Sequence, residues 1–366
     1  NDIKTQMGAD AGSGNPATLV SMMANDNSDQ AILSSAGDMS TVQTKYHDIS
    51  TSHLNDRLTA VDSYIIPGYN ANATALVNGW VQECVANGKT RLTGDNAGIR
   101  LDQITQKTLW GAVSYWQATS KYMSKIPTDD NSMASGDDNY TAMEHHWDES
   151  FGYFGAALDY NTGYTDDSDR KSGPYNDSNS DGSIDFKSEY NAGWAVTAAK
   201  RDVCDACDVN HDFTKTIFDA YLEGRTLITN QADLTEILVQ RDIVMNTWEK
   251  VVAAVSIHYV NDVAADIAAL IEAGDATIAP GSEATADYEN HWGEMRGYAN
   301  GLLYNDFKVI TDANLDRILA VMGTAPVYPS NGNFDAMLAY HNQLIGEVRA
   351  IFKASYGFSD ANLAGW

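Results

Sequence analysis

Two ten-residue segments carry the side chains best suited to chemistry. Glu144, His146, Trp147, Glu149, Gly152 and Tyr153 recur as Glu289, His291, Trp292, Glu294, Gly297 and Tyr298, an offset of 291 − 146 = 145. The shared string is E-x-H-W-x-E-x-x-G-Y. Its six identities include Trp and His, which implies duplication of a helix-based unit. A His and a Glu three residues apart share one helix face, and the Tyr four residues beyond the Glu extends the same stripe. Imidazole and carboxylate together suit a transition-metal ion. If two such halves pack about a pseudo-twofold axis, His146, Glu149, His291 and Glu294 converge on iron or another divalent ion. The same stripe also reads as structure: each His is buried against its own Glu, twice because the unit is duplicated. Both readings stand at this point. His145 points to another face, and His258, among Val255, Ile257 and Tyr259, reads as a buried, hydrogen-bonded histidine.

A second constellation suits a hard cation. Asp177, Asn179, Asp181, Gly182, Ser183, Ile184 and Asp185 spell D-x-N-x-D-G-x-I-D, the first nine positions of an EF-hand-type calcium loop. Oxygen side chains at positions 1, 3 and 5 point inward, Gly at 6 permits the sharp turn, and Ser183 at 7 offers its carbonyl. Ile184 at 8 anchors the loop. Position 12 is Ser188, and Glu189 stands one residue late. The expected ligands are Asp177, Asn179, Asp181, Ser183, Asp185 and Glu189, with calcium as the bound ion. The weaker echo at Asp208, Asn210 and Asp212 lacks the Gly and the apolar anchor, and reads as turn and helix-cap chemistry.

Charge and cysteine usage bound the setting. With 23 basic and 50 acidic residues the formal charge is −27, which argues against nucleic acid or an anionic membrane as a partner and favours cations. Cys204 and Cys207 form C-x-x-C in an Asp-rich stretch. A zinc site wants a second pair, so a small local disulfide in an oxidising compartment is the expectation. Cys84, inside the apolar pattern Leu76, Val77, Trp80, Val81, Val85, reads as core. No membrane span is expected. The start at Asn1 and the polar 10–38 stretch read as a processed, exported protein of the periplasm, cell surface or exterior. No G-x-S-x-G, H-E-x-x-H, P-loop or dinucleotide fingerprint is present, so the chain is not expected to be an enzyme.

The elements that must position these residues are helices. Apolar residues recur at three and four spacing over 47–65, 73–86, 101–126, 140–159, 194–203, 215–228, 234–271, 286–304 and 334–352, and alternating strand patterns are missing. The expected fold is all-α: a duplicated antiparallel helical bundle with a calcium-type loop inserted between its halves. The expected division is an irregular N-terminal segment (1–40), a first helical half (41–160), an Asp-rich irregular insertion (161–213) and a second helical half (214–366).

The run from Tyr140 to Tyr160, with its H-H-W-D-E-S-F-G-Y-F-G string, resembles the hallmark of the bacterial domain-of-unknown-function family 4856. So do Ala198–Asp202, 212–225 and Trp248 with Ile257-His258-Tyr259, so that the resemblance covers nearly the whole chain. It implies an exported, often lipid-anchored, all-α bacterial protein without an established activity. More distantly, the H-x-x-E elements are similar to imelysin-like proteins, which include periplasmic iron-uptake components built as duplicated helical bundles. Only His146/Glu149 and His291/Glu294 match that family's G-x-H-x-x-E motif, because Glu144 and Glu289 replace its Gly.

The functional expectation is an exported metal-binding protein that captures iron or another divalent ion at the cell envelope and carries a structural calcium. The alternative is a calcium-stabilised surface or matrix protein that binds proteins or glycans. Expected partners are metal ions and another envelope or extracellular protein.

Overall fold

Apolar periodicity becomes helix along most of the chain, and the ends of the helices fall where cap chemistry puts them. The first motif helix, Ala142–Phe154, begins at a capping box: Thr141 Oγ1 accepts from the Glu144 amide, and Glu144 accepts from the Thr141 amide at 2.9 Å. It stops at Gly155, whose φ of 81° is the left-handed conformation that closes a helix. In the computed structural model, which describes residues 1–366, one helix dominates: Leu234–Ala273, 40 residues without a break, ending at Gly274.

That helix is longer and more apolar than the sequence expectation, in which no stretch approaches a membrane span. By length and apolar composition alone it is sufficient to cross a membrane, yet 61% of its most apolar window is buried inside the protein. It is apolar because partners surround it. Helices Phe213–Thr229 and Ala286–Gly301 pack on its flanks, with Gly193–Asp202 and the C-terminal helices over the rest. Val251, Val252, Ala253, Ala254 and Ile257 are completely buried.

The long helix of the first half runs from Leu101 to Leu109 and continues through π-helical turns at Trp110–Tyr115 and Gln117–Met123. It packs its early turns against the second motif helix, Ala286–Gly301, while its last turns meet the first motif helix. One element therefore touches both motifs, and Trp147 and Trp292 belong to one continuous core. The crossing depends on glycine. A Cβ on Gly111 would overlap the backbone of Gly301, and a Cβ on Gly297 would sit 2.6 Å from Lys107 Cβ.

Several expected boundaries shift. The 1–40 segment, expected to be irregular, holds helices Asp2–Asp10 and Ala17–Ala24, whose Met7, Leu19, Met22 and Met23 enter the core. The expected 47–65 helix is two short pieces, Tyr46–Ile49 and Leu54–Thr59. Asp312–Met322 is a helix the periodicity left out. A small parallel strand pair joins Ser40–Thr41 to Ser183–Ile184, tying the N-terminal region to the insertion. Cys204 and Cys207 are disulfide-bonded, and Cys84 is a buried free thiol.

Gly111→Ala should destabilise the protein by about 1–3 kcal/mol, the usual cost of overpacking a close contact. Denaturant unfolding measures it. An unchanged midpoint would mean that the crossing tolerates a methyl group and is not the tight point described.

Candidate functional site

Each motif helix builds the same four-residue arrangement against the long helix before it. In the first half His146 Nδ1 lies 2.7 Å from Asp129 Oδ2, its ring packs against Tyr122, and Tyr122 stacks on Tyr153. In the second half His291 Nδ1 lies 2.7 Å from Asp266 Oδ2, its ring packs against Tyr259, and Tyr259 stacks on Tyr298. Tyr122 and Asp129 correspond to Tyr259 and Asp266 with one common offset, 259 − 122 = 266 − 129 = 137. The partner of each histidine is thus an Asp from the preceding helix or its end, and not the Glu three residues on.

Beyond this quartet the copies differ. Lys125 Nζ sits 3.0 Å from His146 Nε2. An ammonium only donates, so Nε2 accepts and Nδ1–H is given to Asp129. Both nitrogens of His146 are engaged. Glu149 lies near the surface, 3.9 Å from His145. In the second copy Glu294 is buried and accepts from Lys107 Nζ at 3.1 Å, Tyr259 Oη at 3.1 Å and Asn290 Nδ2 at 3.0 Å. Glu289 is buried too, accepting from Gly281 N, Thr285 Oγ1 and Tyr328 Oη, whereas Glu144 pairs with Arg225. The tryptophans serve packing: Trp147 Nε1 donates to the Tyr221 carbonyl and Trp292 Nε1 to Tyr340 Oη.

His146, Glu149, His291 and Glu294 do not gather into one cluster. The single group of three or more His, Cys or acidic side chains whose ligand atoms lie within 4.8 Å of one another is Asp167, Asp202 and Asp212. Burial, with repulsion from Asp167, pushes the Asp202 carboxyl up to about 7, against the amides of Thr214 and Phe213 that hydrogen-bond it. Spacing cannot reveal this trio, since its members lie on separate elements. In the second half His291 stands near a row on the 40-residue helix, His258, Asp262 and Asp266, with His258 Nε2 at 3.3 Å from Asp262 Oδ2. Burial, with the charge of Arg201 next, pulls His258 down to about 3 and keeps it neutral. His291 is raised, first by its hydrogen bond to Asp266.

The calcium-type loop is wound by its own oxygens. Asp177 accepts from the amides of Asp181 and Gly182 at 3.1 and 2.9 Å, Asn179 Oδ1 from Asp181 N at 2.8 Å, and Asp181 Oδ1 from Ser183 N at 2.8 Å. Ser180 and Gly182, positions 4 and 6, take φ of 60° and 85°. Asp185 is held by Gln43 Nε2 at 2.8 Å. Glu189 is buried, with its carboxylate accepting from the amides of Ser178, Asn179 and Asp185. Those bonds hold its carboxyl below the usual range, the Asp185 amide first.

A family model, Domain of unknown function (DUF4856), matches residues 27–285, more than two thirds of the chain. The chain belongs to the DUF4856 family. The DUF4856 match takes in the first motif and the whole calcium-type loop, and it stops just short of Glu289. No curated protein and no solved structure matches the chain.

The raised His291 sets a pH test. A histidine raised by a carboxylate contributes stability that is complete below its ordinary value of 6.5 and is lost as pH rises through the higher folded value. The stability gap between the natural protein and Asp266→Asn should therefore be widest below pH 6.5 and narrow above it. Urea unfolding across pH 5–9 reads this. A gap that stays constant, or widens with pH, contradicts the pairing.

Proposed function

We propose that this DUF4856 protein is a calcium-stabilised binding protein of the bacterial cell envelope or exterior, and that it is not an enzyme. The observation that carries this reading is the winding of 177–185. Left-handed backbone falls at positions 4 and 6 of the D-x-N-x-D-G pattern, which leaves Asp177, Asn179, Asp181, Asp185 and the Ser183 carbonyl as the oxygen set for calcium. Location supports a structural role for the ion. The loop pairs through Ser183–Ile184 with Ser40–Thr41, so calcium there would fasten the N-terminal region to the insertion. The Cys204–Cys207 disulfide and the charge of −27 support an oxidising, cation-rich setting outside the cytoplasm. The matched Tyr–His–Asp–Tyr quartets support a duplicated antiparallel bundle as the scaffold.

Capture of iron or another transition ion is the second reading, and the second half favours it. His258 is neutral, the form a metal takes, and stands with Asp262, Asp266 and His291 on facing helices. Glu294 is engaged by Lys107, and the first copy has Lys125 where an ion would meet His146.

Chelation should lower the melting temperature and open the 177–189 loop to proteases. For calcium at 100 times its Kd the loss is about 2.7 kcal/mol. Asp181→Ala should reproduce the effect in calcium buffer. Metal analysis of natively purified protein should find calcium and little else. A melting curve indifferent to chelator and to added calcium would remove this reading. Iron, zinc or copper near one per chain, lost in His291→Ala, would instead establish the second.

A further inference from the structure

A cavity of about 450 Å³ opens between the N-terminal helix, the 101–123 helix, Gly193–Asp202 and the second motif helix. It lies within the usual range of small-molecule sites, roughly 300–1,000 Å³. Its charge is the reverse of the chain's. Acidic residues outnumber basic ones by 50 to 23, yet Lys4, Lys107, Lys171, Lys200 and Arg201 line this space beside one carboxylate, Glu294. Glu294 is committed to Lys107 at 3.1 Å. Lys4, Lys171, Lys200 and Arg201 form no ion pair, although ten of the chain's basic residues pair with a carboxylate elsewhere.

Two further donors at the cavity have no partner. Asn191 is 1% exposed and accepts from the Ala157 amide through Oδ1, which leaves its Nδ2 without an acceptor. Arg201 Nε is buried and equally unmet. Donors without acceptors and like charges without counter-charges are costly where water is scarce. Burial pulls the ammonium groups of Lys4 and Lys200 below the ordinary lysine range, with the charge of Lys107 as the next cause in each. An anion in the cavity would relieve both costs at once.

We propose that this cavity binds a small polar organic anion of monosaccharide size, holding its carboxylate or phosphate oxygens with Lys200, Arg201 and Asn191 Nδ2. The ring of the ligand would lie against Trp110 and Tyr259, which also line the cavity. Much of the remaining wall is polar, which suits a sugar acid or sugar phosphate better than a fatty acid. Glu294 is a positioning residue here, since it acts by fixing Lys107. Pro174 and Tyr190–Gly193, which flank the calcium-type loop, form part of the cavity wall, but none of the loop's expected ligands lines it, and the proposal goes beyond the reading given above.

The test is calorimetric titration of the full chain at low salt in calcium buffer, with glucuronate, glucose 6-phosphate, inorganic phosphate and uncharged glucose as probes. Saturable binding of glucuronate or glucose 6-phosphate is expected, weakening as salt rises, with none for glucose. Whichever of the two binds identifies the oxyanion as carboxylate or phosphate. Inorganic phosphate binding as tightly as the sugar phosphate would overturn the aromatic wall's part. Lys200→Gln and Arg201→Gln should each weaken binding at least tenfold, whereas Lys215→Gln, at an exposed lysine outside the cavity, should leave it unchanged. Circular dichroism melts establish that each variant is folded, and Lys171→Gln replaces any that is not. Absence of saturable binding by both charged sugars, or equal affinity in the folded variants, overturns the proposal. The two readings fail separately: a melting curve indifferent to chelator removes the calcium reading, whereas only the titration with the charged sugars decides this one.

Discussion

Lys107 is a cation held almost out of water inside a helical core, and much of the architecture follows from keeping it satisfied. Its side chain is 7% exposed. Its ammonium donates to Gln106 Oε1 at 2.6 Å, pairs with Glu294, and lies over the faces of Trp110 and Tyr298. A buried charge of this kind is tolerable only when fully paired, and removing one partner of such a pair costs about 3–5 kcal/mol. Lys107 stands on the long helix of the first half, Glu294 and Tyr298 on the motif helix of the second. The pair therefore fixes the crossing of the two halves. Gly297 makes it possible, because any side chain there would displace the stem of Lys107.

The same constraint explains why a repeated motif has unequal environments. Both copies keep the quartet of two tyrosines, a histidine and an aspartate, which is the part that seats the motif helix on its own preceding helix. The second copy lies between the 101–123 helix and the 40-residue helix, so Glu289, Glu294 and Gly297 are all buried. The first copy has an open side. Gly152 meets nothing within 4 Å of a Cβ, and Glu149 is partly exposed. The same glutamate thus became a buried ion-pair anchor at 294 and a partly exposed side chain at 149.

Charge is distributed with similar economy. The acidic excess is concentrated on solvated surfaces and in the 161–213 region, where Asp177, Asp181 and Asp185 wind the calcium-type loop. The basic residues are few, and several of them face inward. Lys107, Arg170 and Arg296 are buried, and Arg296 donates to the carbonyls of Leu319 and Pro67. The cationic cavity arises where Gly193–Asp202 brings Lys200 and Arg201 against the helix that carries Lys107.

Local chemistry was legible in the chain. Periodicity located the helices at 73–87, 101–123, 213–229, 234–273 and 286–301, because apolar residues at three and four spacing need one buried face. The D-x-N-x-D-G pattern carried its own turn, since its oxygens bond amides only a few residues away. C-x-x-C likewise closes within one loop. Short polar-rich stretches were harder: the 1–40 helices are weakly amphipathic and form because Met7, Leu19 and Met23 find a core to enter. What no spacing contained was partnership across the fold. The histidines suggested their i+3 glutamates, but Asp266, on the preceding helix, and Asp129, just past the end of its own, reach them instead. Asp167, Asp202 and Asp212 meet from three elements, and Lys4, Lys107, Lys171, Lys200 and Arg201 from four. Those encounters depend on how helices cross, and crossing is decided by close packing at Gly111, Gly297 and Gly301, where the absence of a side chain in one helix admits another. The sequence by itself determined the long helices, the motifs and the turn of the calcium-type loop. Only the tertiary structure decided which charges would face one another, because it alone brings distant residues within a few ångströms.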